Sequence, residues 1–248
     1  MTSVDLLCGT EVVRVDASLV EMSNERVFGA RFAVPPARPP MLTVTRTTGL
    51  EGQVVEGPLG RALMKLEGDQ LTVEVGEGQF LGELVLRLAW YIATTRQGGV
   101  LIHASCVRKG DVALVACGKS GDGKSTLARL AVGAGLTLMT DEVVMLFPDG
   151  RVGGTPFRSD ADNPGSPGVA RCRNFVALEK APVEQLKPLA ARDATHLVIS
   201  QCFDVEVVRI ARAEQHRRLL GFLASVQLGT LAFRKDPEAG RFVASLLE

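Results

Sequence analysis

The sequence contains little that would build a disulfide framework or bind a transition metal. Its five cysteines are an odd number, and no two of them form a CxxC pair. The three histidines are scattered and lack the i, i+4 spacing typical of helix-borne metal ligands. A cystine-stapled secreted fold and a zinc knuckle are therefore not expected, and a reducing, cytoplasmic compartment is favoured.

Long apolar runs and an excess of charge are also missing. No stretch approaches the roughly eighteen consecutive apolar residues of a membrane-spanning helix, and no basic segment followed by an apolar one suggests a secretory signal. The 28 basic residues are balanced by 28 acidic ones, which argues against nucleic acid or an anionic membrane as the main partner. With 248 residues, 46% of them hydrophobic, the chain can bury its own core, so we expect a soluble globular protein with a small-molecule or protein partner.

The first third of the chain is rich in β-strand signals. Short runs such as Glu11–Val15, Met41–Arg46 and Gln70–Val75 are separated by glycine and proline. Apolar residues then recur at helical spacing over 82–96, before the pair Gly98-Gly99. We predict a β-rich N-terminal part over residues 1–81 and a second domain over residues 82–248.

The most specific pattern is GKSGDGKS at residues 118–125, which fits GxxxxGK[ST] between a strand-like run and a helix-like run. Its glycines allow successive N–H groups to point inward at a helix N-terminus, where a phosphate is favoured. Lys124 would reach the β- and γ-phosphates, and the Ser125 hydroxyl would ligate Mg²⁺. Lys119 and Asp122 occupy variable positions, where solvated loop residues are the expectation. The pattern predicts that residues 82–248 form a nucleotide-binding domain. ATP or GTP would be bound by Gly118, Ser120, Gly121, Asp122, Gly123, Lys124, Ser125 and Thr126.

An acidic pair follows the next strand-like run. Leu136–Met139 is apolar and leads into Thr140-Asp141-Glu142. A carboxylate at a strand end beside a phosphate loop holds Mg²⁺ or activates an attacking hydroxyl or water. Asp141 comes only 17 positions after Lys124 (141 − 124), closer than in the large families of P-loop nucleotidases. A solvent-exposed acidic strand end is the alternative, and a functional role is favoured mainly for Asp141.

The segment 149–168 is so rich in Gly, Pro, Asp and Ser that most of it is predicted to form no regular element. A long loop of this kind in a compact domain is often a lid or a binding loop. Arg158 within it could contact a phosphate, although a solvated loop arginine is the simpler expectation.

Three runs together resemble a known family. LIHAS at 101–105, GKSGDGKST at 118–126 and LTLMTDEVVML at 136–146 are similar to the catalytic domain of HPr kinase/phosphorylase and related kinases, over about residues 99 to 248. The resemblance implies an α/β fold with a P-loop core like that of phosphoenolpyruvate carboxykinase, in which an acidic strand directly follows the phosphate loop. It also implies ATP and Mg²⁺ as cofactors, a histidine near the loop at His103, and an acidic pair, Asp141 and Glu142, that supplies the base and a metal ligand beside Ser125.

The sequence departs from this family at two places. The acidic pair is Asp-Glu, where HPr kinase has two aspartates. Only Arg173 and Asn174 echo the Pro-Gly-Arg-Asn stretch that the bifunctional enzyme uses in its phosphorylase activity. Phosphorylase activity and recognition of HPr itself are therefore in doubt. His103 could equally be a core histidine bonded to a neighbouring backbone group.

The leading hypothesis is an ATP- and Mg²⁺-dependent kinase that phosphorylates a hydroxyl, in particular a serine, of a protein or peptide. Asp141, Lys124 and His103 are the predicted catalytic residues. The peptide acceptor follows from the resemblance, because such relatives occur in clusters that modify ribosomally made peptides. The alternatives are a nucleotide-binding regulatory or assembly protein and a small-molecule kinase. A homo-oligomer is possible by the same resemblance, since HPr kinases form hexamers.

Overall fold

The chain folds as a mixed α/β protein with two sheets. The computed structural model describes residues 3–23, 30–36, 38–57, 59–76, 80–157, 165–203, 205 and 210–248. The described residues form two compact units, one within 1–97 together with Val205 and the other within 98–203 and 210–248. None of the helices in the described part is long and apolar enough to cross a membrane.

The first unit is built on a six-stranded sheet with the order β1-β2-β3-β6-β5-β4, as far as the described residues show. The strands are β1 Ser3–Cys8, β2 Glu11–Asp16, β3 Leu42–Arg46, β4 Gln53–Gly57, β5 Gly60–Glu67 and β6 Gln70–Val75. Two helices accompany them, α1 Ala17–Glu21 and α2 Leu81–Arg96. The predicted strands in this part of the chain are confirmed to within a residue or two.

Helix α2 packs with the N-terminal sheet, whereas the predicted boundary at residue 81 assigns it to the nucleotide-binding domain. Gly82 lies against α1, where a Cβ atom would come within 2.4 Å of the Leu19 carbonyl oxygen. Further along, the Trp90 ring meets the Phe32 ring edge-on, with centroids 6.2 Å apart. Helical spacing identifies α2 as amphipathic but does not reveal which sheet its apolar face covers.

The second unit contains a mixed sheet with the order β11-β10-β7-β8-β12-β14-β13, and β9 also pairs with β7. Strands β8, β12 and β14 are parallel, and β7 is antiparallel to β8. The bounds are β7 Val100–Lys109, β8 Val112–Cys117, β9 Thr137–Thr140, β10 Val143–Leu146, β11 Arg151–Gly153, β12 Val169–Lys180, β13 Gln185–Pro188 and β14 Gln227–Phe233.

Helices cover both faces of this sheet. The helices are α3 Lys124–Gly133, α4 Ala191–Ser200, α5 Arg212–Ala224 and α6 Pro237–Leu246. One buried cluster joins α3 and α6 to Val107 of β7, and the other joins α4 and α5 to Ile102, Ala104 and Cys106. Since side chains alternate along a strand, His103 and Ser105 belong to the face that α3 covers.

Among its described residues, the predicted loop over 149–168 contains the short strand Arg151–Gly153, and the prediction that most of the segment forms no regular element stands beside it. Strand β11 pairs with both β10 and β12, with Val152 opposite Leu146 and Ala170. Gly153 is opposite Met145, and a Cβ atom there would lie 2.8 Å from the Met145 sulfur, so a larger residue would require the Met145 side chain to shift. The backbone hydrogen bonds of β11 to β10 and β12, one strand on each of its edges, outweigh the weak strand propensity of its glycine-rich sequence. Residues 158–164, including Arg158, lie outside the described part.

Candidate functional site

The glycine loop, which we define as Gly118–Ser125, joins the end of β8 to the first turn of α3. Gly121 and Gly123 have φ values of 86° and 104°, in the left-handed region that favours glycine. Gly123 is the N-cap of α3, and a Cβ atom there would lie 3.0 Å from the Phe233 ring. The turn therefore requires glycine, and it directs the first N–H groups of α3 towards the loop.

Lys124 folds back over this loop. Its side-chain nitrogen donates to the carbonyl oxygens of Gly118 at 2.8 Å and Lys119 at 3.2 Å. The residue is only 6% exposed. Burial lowers the pKa of Lys124, and the charges of neighbouring groups, Asp122 and Glu142 among them, oppose that shift. The loop thus concentrates one buried cation at a helix N-terminus, an arrangement suited to an anion.

The other predicted members of the loop differ in exposure. Gly118 is buried, Lys119, Ser120 and Gly121 are exposed, and Asp122, Gly123, Ser125 and Thr126 are half-buried. Ser125 and Thr126 belong to the first turn of α3. The structure therefore brings together all the residues predicted to hold the nucleotide phosphates, in the predicted strand-loop-helix setting. Occupation by a nucleotide stays a prediction.

Strand β7 runs beside the glycine loop. Ala104 pairs with Cys117, the last residue of β8. His103, the neighbour of Ala104 in β7, therefore lies beside the start of the glycine loop. The Ser105 hydroxyl is buried and donates to the Lys124 carbonyl oxygen at 3.4 Å, which ties the first turn of α3 to the sheet. Ser105 belongs to the LIHAS run, which predicts no role for it, although its i+2 spacing from His103 in a strand places both side chains on one face.

The acidic pair lies on the other edge of β7. Thr140 pairs with Cys106 and Val143 with His103, so Asp141 and Glu142 fall between two stretches of the same antiparallel pairing. Asp141 is 1% exposed, unlike the solvated strand end considered as its alternative. The Glu142 carboxylate reaches the His103 ring, with Oε2 3.6 Å from Nδ1. Long-range pairing with β7 thus brings His103 and the acidic pair together.

A buried hydroxyl network shapes the turn that carries these acids. Thr140 Oγ1 accepts the N–H groups of Glu142 at 3.3 Å and Val143 at 3.4 Å. It also lies 3.1 Å from Thr155 Oγ1 and 3.3 Å from the Phe157 carbonyl oxygen. Thr155 in turn donates to the Val143 carbonyl oxygen at 2.6 Å. No sequence signal indicates this network, because Thr140 and Thr155 meet only in the folded chain.

The C-terminal end of the loop over 149–168 is anchored to strand β9, which carries Thr140. The Ser166 N–H donates to the Met139 carbonyl oxygen at 3.2 Å, and its hydroxyl donates to Leu138 at 2.8 Å. Gly165 packs so closely that a Cβ atom would lie 2.4 Å from the Met139 carbonyl oxygen. Both described ends of the loop therefore rest on β9, immediately before the acidic pair.

Arg173 and Asn174 lie elsewhere. In the parallel pairing of β12 with β8, Ala177 is opposite Cys117, next to the glycine loop, while Arg171 is opposite Val112 at the other end. Arg173 donates to the Leu246 carbonyl oxygen at 3.2 Å, and it lines a cavity of about 420 Å³ at that distant end. The structure therefore places Arg173 towards the end of β8 away from the glycine loop, while Asn174 is opposite Leu114 in the middle of that strand.

The candidate metal ligands are few. In the described part of the chain, no three or more His, Cys, Asp or Glu side chains converge to hold a metal ion. A Mg²⁺ ion bound with a nucleotide needs fewer protein ligands, since phosphates and water complete its shell. A serine hydroxyl on the first turn of α3 and a carboxylate from the acidic pair are hard oxygen donors of the appropriate chemistry.

Comparisons with known proteins give little further information. No protein-family model matches the chain, and no curated protein matches it. Solved structures do match, among them an HPr(Ser) kinase/phosphatase from Coxiella burnetii, with 10% identity and a TM-score of 0.34. The matched region covers 59% of this chain and 93% of that chain. These values describe a distant resemblance of folds.

Proposed function

We propose that this protein binds ATP with Mg²⁺ on the glycine loop and transfers a phosphoryl group to a hydroxyl of a protein or peptide, in particular of a serine. The observation that carries the proposal is that the backbones of Lys124 and Asp141 both lie next to β7, Lys124 after the strand that pairs with one edge of β7 and Asp141 between the strands that pair with the other edge. One is a buried cation at a helix N-terminus and the other is a buried carboxylate. Both groups are needed for phosphoryl transfer, one for the phosphates and one for the acceptor or metal.

The loop would act first, through charge and position. Its N–H groups and the first turn of α3 would bind the phosphate oxygens, and Lys124 would exchange its two carbonyl acceptors for the β- and γ-phosphates. Ser105 supports this geometry because its hydroxyl holds the Lys124 backbone at the strand. Ser125, Asp141 and Glu142 fit Mg²⁺, which when bound would neutralise charge on the transferring phosphoryl group.

Asp141 is the proposed general base. It would accept the proton of the acceptor hydroxyl as the new oxygen–phosphorus bond forms and the bond to the ADP oxygen breaks. Glu142, held beside His103, would then serve as the metal ligand with Ser125. If Asp141 were instead a metal ligand, removal of its carboxylate would weaken Mg²⁺-dependent nucleotide binding as well as phosphoryl transfer.

Two variants test the proposal. We expect calorimetry to show Mg²⁺-ATP binding by the wild type and its loss in Lys124→Ala. Asp141→Asn should bind Mg²⁺-ATP within about twofold of the wild type and lose at least about a hundredfold in transfer rate, the usual contribution of a general base. Transfer is measured with radiolabelled ATP and peptide libraries rich in serine. Absence of binding by the wild type would remove the kinase proposal.

The same variants address the regulatory alternative. A nucleotide-dependent regulatory protein would bind ATP, would form a stable complex with its partner only in the nucleotide-bound state, and would tolerate Asp141→Asn. If that variant keeps every nucleotide-dependent activity of the wild type, the regulatory function replaces the kinase.

A further inference from the structure

A carboxylate lies inside the glycine loop. Asp122 Oδ2 accepts the Lys119 N–H at 2.6 Å, and the Asp122 N–H donates to the Lys119 carbonyl oxygen at 3.2 Å. A Cβ atom at Gly118 would lie 2.7 Å from the same Oδ2. Asp122 is therefore bonded within the loop while it stays half-buried and open to solvent in part, as expected for a loop residue at this position.

This carboxylate also acts on the cation of the loop. The Lys124 ammonium donates to the carbonyl oxygens of Gly118 and Lys119, the two residues that Asp122 Oδ2 contacts or approaches. The negative charge of Asp122 favours the protonated form of that ammonium, against the effect of burial. A loop built to attract anions thus carries a fixed negative charge of its own.

We propose that Asp122 makes the loop select metal-bound nucleotide over metal-free nucleotide. The inference rests on the proposed function, since it concerns the same loop. A bound Mg²⁺ cancels about two negative charges of the triphosphate, so the repulsion from Asp122 is much stronger for the metal-free form. The backbone N–H groups and Lys124 attract both forms, whereas Asp122 opposes the more highly charged one.

The proposed selection depends on the charge of Asp122 and not on its hydrogen bond to Lys119. Asp122→Asn separates the two effects, because the amide keeps an oxygen that accepts the Lys119 N–H but carries no charge. Because Asp122 is half-buried and partly screened by solvent, we expect a moderate effect. Asp122→Asn should tighten metal-free binding by about fivefold to tenfold and metal-bound binding by about twofold or less.

The test uses calorimetric titration of the full chain with adenylyl imidodiphosphate, which resists transfer, in excess Mg²⁺ and in EDTA. The expected result is a fall in the ratio of metal-free to metal-bound dissociation constants in Asp122→Asn. Asp111→Asn is the matched control, because it makes the same change at an exposed position at the opposite end of β8. The control should leave the ratio at the wild-type value.

Two results would overturn the inference: equal changes of both dissociation constants in Asp122→Asn, or the same change of ratio in Asp111→Asn. Asp122→Ser, whose hydroxyl also accepts an N–H, is a second neutral variant and should shift the ratio in the same direction. A wild type that binds neither form of nucleotide would end the proposed function itself, and that outcome is visible before any variant of Asp122 is made.

Discussion

The packing of α6 against α3 depends on one glycine, and its replacement should destabilise the protein. Gly240 lies in α6, where a Cβ atom would be 2.1 Å from the Leu130 carbonyl oxygen and 2.6 Å from the Leu130 carbonyl carbon. Both atoms belong to the backbone of α3, so no side chain can rotate away. Gly240→Ala therefore requires the two helices to move apart.

Two opposing effects set the magnitude. Alanine is favoured over glycine inside a helix by about 1 kcal/mol. Overpacking a buried contact costs about 1 to 3 kcal/mol, and contact with backbone is at the upper end of that range. We expect a net loss of about 1 to 2 kcal/mol of unfolding free energy. Because α3 also begins at Lys124, nucleotide binding should weaken as well.

Gly133→Ala is the matched control for this prediction. Gly133 is the last residue of α3, and a Cβ atom there would meet nothing within 4 Å. This variant should be stabilised by about 0.5 kcal/mol. Urea unfolding followed by circular dichroism gives the free energies, and hydrogen exchange of α3 and α6 peptides locates the change. If Gly240→Ala had the same free energy of unfolding as Gly133→Ala, the steric argument would be refuted.

Two further predictions concern the buried hydroxyl network and the buried thiols. Thr140→Val keeps the shape of the side chain but removes the acceptor of two N–H groups. It should lower the free energy of unfolding in urea by about 1 to 3 kcal/mol, whereas Thr140→Ser should lower it by less than about 1 kcal/mol. Equal losses in the two variants would contradict the role of the hydroxyl. Burial raises the pKa of Cys117 and Cys172 from 9.0 to about 12. The unfolded chain then ionises these thiols first, so their stabilising contribution is complete below pH 9 and is lost as the pH rises to about 12. Unfolding free energies measured across this range should fall less steeply in Cys172→Ala, and an unchanged slope would be evidence against this source of pH dependence.

Local patterns were sufficient for the elements that carry the loop. The strand ending at Cys117 and the helix beginning at Lys124 are confirmed, because the apolar run, the glycines and the helical spacing are all contained within neighbouring residues. The strand before Asp141 was likewise predictable to within one residue. Other elements escaped detection. Helix α4 was not predicted, although its apolar residues recur at helical spacing. Strand β13 and the short strand β11 carry weak local signals and form through pairing with distant segments.

The amino-acid sequence by itself determined which residues could bind an anion and which acid follows them along the chain. Only the tertiary structure decided that Asp141 is buried beside β7, that Thr140 meets Thr155, and that Arg173 lies at the far end of the sheet. The physical reason is that strand pairing between distant segments sets the neighbours of a side chain, and such pairing leaves no periodicity in the sequence around any one of them.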